Sequence, residues 1–115
     1  MPHNIIEYSA ELEAHIPEII QAVHQGSFES GLFDEQDIKT RALAYQHTRL
    51  GQDSRFFIHV QAKLLSGRTP EQKKHLSQAV LKQLAQLDLH AISLTVEVLD
   101  IDKSSYAKQV NKELN

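Results

Sequence analysis

Polar and apolar residues alternate along the middle of the chain, where Phe56, Ile58, Val60, Ala62 and Leu64 interleave with Phe57, His59, Gln61 and Lys63. A period of two places successive side chains on opposite faces, so this segment reads as a strand. Strict alternation returns at Ile92, Leu94, Val96 and Val98, giving a second strand of the same kind. Between them Leu76, Val80, Leu84 and Leu87 recur at helical spacing, and the run Thr69-Pro70-Glu71-Gln72 supplies a helix start. Thr69 caps, Pro70 takes the first helical position where its missing N–H costs little, and Gln72 returns a bond to the cap.

The first half carries the same order of elements. His3–Ser9, rich in Ile and Tyr, reads as a strand, and the polar run 10–13 as a turn. Leu12, Ile16, Ile19, Ile20 and Val23 follow at helical spacing with Pro17 in the first turn, and this helix ends before Gly31. Residues 38–47 then read as extended, with Thr40, Ala42 and Ala44 on one side and Lys39, Arg41, Leu43 and Tyr45 on the other. A turn is expected at 51–54. Strand-helix-strand, twice over, predicts an α+β fold in which two β-α-β units form one four-stranded sheet with two helices on one face. Residues 1–115 read as a single domain, with 102–115 a polar tail or oligomer-contact segment bearing Tyr106 and Val110 at helical spacing.

At 115 residues the chain is near the size where partner subunits complete the burial, so an oligomer is expected. The net charge of -3, with both signs interspersed, offers no basic stripe for nucleic acid. The absence of cysteine removes disulfides, thiolate catalysis and thiolate-bound zinc. No basic-then-apolar leader and no membrane-length apolar run is present, so neither nucleic acid nor membrane is an expected partner and the expected location is cytoplasmic.

Among candidate chemical groups, Pro2 stands out. Once Met1 is removed its nitrogen is a secondary amine held at the start of a strand, and burial beside cations would leave it neutral and basic near pH 7. The bland alternative is a proline that merely follows the initiator. Arg68 lies just before a helix N-terminus, where free N–H groups and the helix dipole already favour anions, although taken alone the position reads first as a solvated loop arginine. Lys39 and Arg41 point the same way on the second strand, so Arg41 and Arg68 are placed to grip an acidic substrate from two sides. The seven histidines show neither HxH nor HExxH spacing, and no metal site is expected. His59 reads as a satisfied sheet residue. Without a phosphate loop, nucleophile elbow or nucleotide fingerprint, no cofactor is expected, and the chemistry must use protons or nothing.

Met1-Pro2-His3 followed by Ile6-Glu7-Tyr8-Ser9, then Ile38-Lys39-Thr40-Arg41-Ala42, Phe57-Ile58-His59-Val60 and Gly67-Arg68-Thr69, resembles the 5-carboxymethyl-2-hydroxymuconate isomerases over nearly the whole chain. The resemblance implies the tautomerase superfamily, with paired β-α-β units and homotrimers whose sites lie near subunit boundaries. It implies Pro2 as the proton-transferring base and Arg68 as a binder of substrate carboxylate, with the second binder drawn from Lys39 and Arg41 and Arg41 preferred. The implied substrate is a small unsaturated carboxylic acid of the 2-hydroxymuconate type. Two rivals stand beside it: a tautomerase of another enol or keto acid, and a noncatalytic ferredoxin-like assembly module in which Pro2 is incidental.

Overall fold

A computed structural model of the chain describes residues 1–51 and 53–114. Its four strands are β1 (His3–Ser9), β2 (Lys39–Tyr45), β3 (Phe56–Leu65) and β4 (Ile92–Ile101), and its helices are α1 (Ile16–Glu29) and α2 (Pro70–Ala85). The sheet order is β2-β1-β3-β4. The outer pairs β1/β2 and β3/β4 are parallel, each joined by a helical crossover, and the central pair β1/β3 is antiparallel. Two β-α-β units therefore meet along β1 and β3. This arrangement sends the starts of β1 and β2 and the ends of β3 and β4 to one end of the sheet, with His3 opposite both Lys39 and Lys63.

Alternation decides which face is covered. Ile6 and Tyr8 of β1 and Ile58, Val60, Ala62 and Leu64 of β3 are buried in one core with Ile19 and Val23 of α1 and Leu76, Val80 and Leu84 of α2. Both helices thus lie on one face. Burying each large aliphatic side chain there contributes on the order of 1.5–3 kcal/mol. The helices approach closely because Gly26 presents no side chain to α2. Thr69 and Gln72 form the expected capping box, with Thr69 Oγ1 accepting from the Gln72 N–H at 3.1 Å and Gln72 Oε1 from the Thr69 N–H at 2.8 Å. Asn4, fully buried on the helix-facing side of β1, donates to Ser27 Oγ on α1 at 2.7 Å.

The other face carries His3, Glu7, Lys39, Arg41, Tyr45, Phe57, His59 and Glu97, with no helix over it. There the Tyr45 hydroxyl donates to Glu7, and the Tyr45 and Phe57 rings meet edge to face at 5.9 Å.

Three segments differ in detail from expectation. The polar run after β1 is a 3-10 helix, Ala10–His15, which feeds into α1. The turn at 51–54 includes Gln52, which lies outside the described residues. The tail does not use the helical spacing of Tyr106 and Val110: after a 3-10 turn at Lys103–Ser105, capped by Asp102, residues 106–114 have no regular structure and Val110 is exposed. Tyr106 instead folds back onto the start of β1.

Candidate active site

Pro2 lies at the end of the sheet where β1 begins, and it is fully buried. Its carbonyl accepts the Lys39 N–H at 3.0 Å, which pins it to the start of β2. The Met1 ammonium ahead of it donates to the Asp37 carbonyl at 3.1 Å, and Lys39 Nζ donates to that same carbonyl at 3.3 Å. The terminal amine and the Lys39 ammonium therefore converge on one acceptor.

Beside them is a cavity of about 140 Å³ lined by Met1, Phe33, Leu64, Leu65, Ser66, Arg68 and Lys103. Arg68 reaches it from the loop between β3 and α2. Gly67, at φ 122°, turns the chain there in a conformation that side chains resist, and the Thr69 cap then starts α2. The Arg68 guanidinium donates to the Leu32 carbonyl at 2.9 Å and lies 5.5 Å over the Phe33 ring, so the loop after α1 fixes its direction. These contacts leave the remaining N–H donors of a planar fork for a carboxylate.

Charge tunes the amine. Burial is the largest cause holding the Met1 amino group below its ordinary value; Lys39 adds to the effect, Asp37 opposes it, and Lys108 in the tail lowers it further. His3 titrates low as well, through burial first and then Arg41 and Lys39. Arg41 is directed to His3, with Nη1 3.1 Å from His3 Nδ1. Of the four residues singled out in the sequence, Pro2, Arg68 and Lys39 thus gather around the N-terminus, while Arg41 reaches it through His3.

Sequence reasoning did not single out Phe33, Lys103, Tyr106 or Lys108. Only long-range contacts place them here, and no local spacing carries that information. His59 sits elsewhere on the uncovered face, with Nδ1 2.6 Å from Thr95 Oγ1 and Nε2 2.5 Å from Glu97 Oε2. That hydrogen bond is the main reason the Glu97 carboxyl lies below the usual range. Among the described residues no cluster of three or more His, Asp or Glu side chains is gathered as a metal site. A larger groove of about 400 Å³ runs between the helices, but glutamines line most of it and Glu18 is its one ionisable group, so it lacks the charges that proton transfer requires.

Residues 2–113 match the family of 5-carboxymethyl-2-hydroxymuconate isomerases. The chain belongs to that family. It is accordingly an isomerase, of the tautomerase superfamily. Among solved structures, the 5-carboxymethyl-2-hydroxymuconate isomerase from Deinococcus radiodurans R1 is 25% identical, with a TM-score of 0.78 over 96% of this chain and 90% of that one. A 5-carboxymethyl-2-hydroxymuconate delta-isomerase shares 13% identity at a TM-score of 0.76, covering 96% of this chain and 89% of its own. A fused 4-OT described as a symmetric trimer shares 17% identity at a TM-score of 0.75, covering 92% of this chain and 90% of its own. The last two likenesses concern the fold alone. No curated protein sequence gives a significant match.

Proposed function

We propose that this isomerase moves a double bond within an unsaturated 2-hydroxy or keto acid of the 5-carboxymethyl-2-hydroxymuconate type, using the nitrogen of Pro2, freed by removal of Met1, as the base. The observation that carries this reading is the position of Pro2, fully buried at the start of β1, bonded through its carbonyl to the Lys39 N–H and next in the chain to Met1, which lines a cavity together with Arg68.

The surroundings supply each requirement. Burial first, then Lys39 and Lys108 against the opposing Asp37, hold the Met1 amine below its ordinary value, and an amine at Pro2 meets these same surroundings, which favour its neutral form. The ring fixes the direction of the nitrogen lone pair, and the Lys39 N–H bond to the Pro2 carbonyl holds the ring against β2. Neutral Pro2 takes a proton from the dienol, or from an activated carbon of the keto acid. The electron pair passes along the conjugated chain, and the proton returns at a different carbon. The skeleton stays intact and no cofactor enters the proposed cycle. Arg68 and Lys39 bind the carboxylates, with Arg41 adding positive charge from the side of His3. Arg68 and Lys39 act chiefly by holding the carboxylates in place, while their fixed positive charge also favours the developing dienolate.

We further propose a cytoplasmic homotrimer built from this single domain. The uncovered sheet face, including Leu43 and Tyr45, and the irregular tail are the surfaces available for subunit contact. The trimer reading is supported by the fold shared with a fused 4-OT trimer.

The test is turnover of a 2-hydroxymuconate-type dienol by protein whose Pro2 terminus is verified by mass, followed by loss of dienol absorbance. Conversion to the conjugated keto isomer supports the reading. Turnover of phenylenolpyruvate alone would assign the protein to another enol, and turnover of neither would leave only a binding or assembly role.

A further inference from the structure

The N-terminal site contains a chain of hydrogen bonds whose direction is set by chemistry rather than by choice. Arg41 Nη1 lies 3.1 Å from His3 Nδ1, and an arginine donates only, so Nδ1 must accept. His3 is held neutral there by burial and by the positive charges of Arg41 and Lys39. Its single ring hydrogen is then on Nε2, which lies 2.9 Å from the Tyr106 hydroxyl. That oxygen must accept from His3, and its own hydrogen is free to point onward. It does so, donating to Met1 Sδ at 3.2 Å. A thioether is a weak acceptor, and this one belongs to the residue whose removal the proposed function requires.

We propose that Tyr106 donates its hydroxyl hydrogen to the substrate oxygen that gains charge during isomerisation, with His3 and Arg41 as positioning residues that aim it. The inference rests on the Pro2 reading above. Removing Met1 takes away the sulfur acceptor and leaves the hydroxyl facing the space that the Met1 side chain filled. The Pro2 nitrogen, bonded to Met1 before its removal, borders the same vacated space, and Arg68 and Phe33 line the cavity that Met1 shares with them. As Pro2 draws off the proton, negative charge grows on the oxygen at the 2-position, and a preoriented O–H stabilises it without reorganising. The role also gives a reason for the irregular tail: the 3-10 turn at Lys103–Ser105 redirects the chain so that Tyr106 returns to β1.

Two readouts test the proposal in the full-length mature protein. With ¹⁵N-labelled histidine at pH 7, the His3 ring should show the neutral Nε2–H tautomer. An Nδ1–H tautomer or a doubly protonated ring would overturn the relay whether or not any substrate turns over. With 2-hydroxymuconate as the probe, Tyr106→Phe should lower kcat by roughly 10²-fold, the usual scale for losing one such donor, with KM within about threefold of the parent. His3→Leu should reproduce that split, and His3→Gln, which keeps a donor for Tyr106, should recover part of the rate. Unchanged kcat in a folded Tyr106→Phe variant of an active parent would overturn the donor assignment alone. An inactive parent with the expected tautomer would instead overturn the isomerase reading on which it rests.

Discussion

Gly26 on α1 and Val80 on α2 are so close that a Cβ built on Gly26 would come 2.6 Å from the Val80 Cα and 2.9 Å from the Ala79 carbonyl oxygen. Both obstacles are backbone atoms, so no rotamer change relieves the clash and the helices must separate. Gly26→Ala improves local helix propensity by about 1 kcal/mol, yet overpacking of this kind costs about 1–3 kcal/mol, and the backbone contact places it at the upper end. We expect a net loss of about 2 kcal/mol in urea unfolding at fixed protein concentration. A variant as stable as the parent would show that the helix pair opens without cost.

The parts of this fold that were legible in the sequence are those governed by neighbours in the chain. The alternation in β3 reports one buried face directly, and Thr69 and Gln72, three apart, form the capping box with Pro70 in the first helical turn. Pro2, Arg68, Lys39 and Arg41 stand out in the sequence as an amine and as cations on or beside strands, with Arg41 preferred over Lys39 for a carboxylate. Their companions do not. The Leu32 carbonyl meets Arg68 across 36 positions of sequence with the Phe33 ring beside it, and Tyr106 meets His3 across 103. The tail shows the limit of periodicity most clearly, because the spacing of Tyr106 and Val110 suits a helix while the tyrosine is used as a single long-range contact.

The His59 to Glu97 bond on the uncovered face predicts a measurable titration. Glu97 lies below its ordinary carboxylate value chiefly because His59 hydrogen-bonds to it. A depressed folded-state value means that its contribution to stability is present above the unfolded value near pH 4.3 and is lost as pH falls through the folded one. His59→Ala should therefore raise the Glu97 titration, read by carboxyl ¹³C NMR, and flatten the acid limb of stability. Glu97 titrating unchanged in the variant would mean that another group holds it.

Cation replacements separate binding from aiming. Arg68→Ala and Lys39→Ala should raise KM for a dicarboxylate dienol by about tenfold, equivalent to about 1.4 kcal/mol each, through loss of a carboxylate partner. Arg41→Ala should act mainly on kcat, because its contact is with His3. Steady-state kinetics on the three variants checks this, and a KM effect at Arg41 larger than at Lys39 would return the carboxylate to Arg41.

The most direct measurement compares the pH dependence of kcat/KM for the protein beginning at Pro2 with that of a form retaining Met1, each verified by mass. In the mature protein the base must be unprotonated, so the rate should rise with pH through one ionisation, displaced below the ordinary α-amino value of about 8 by the burial and lysine neighbours that lower the Met1 amine and that Pro2 would inherit. The form retaining Met1 has an amide at that nitrogen and should lose at least about 10²-fold. Equal rates in the two forms would contradict Pro2 as the base.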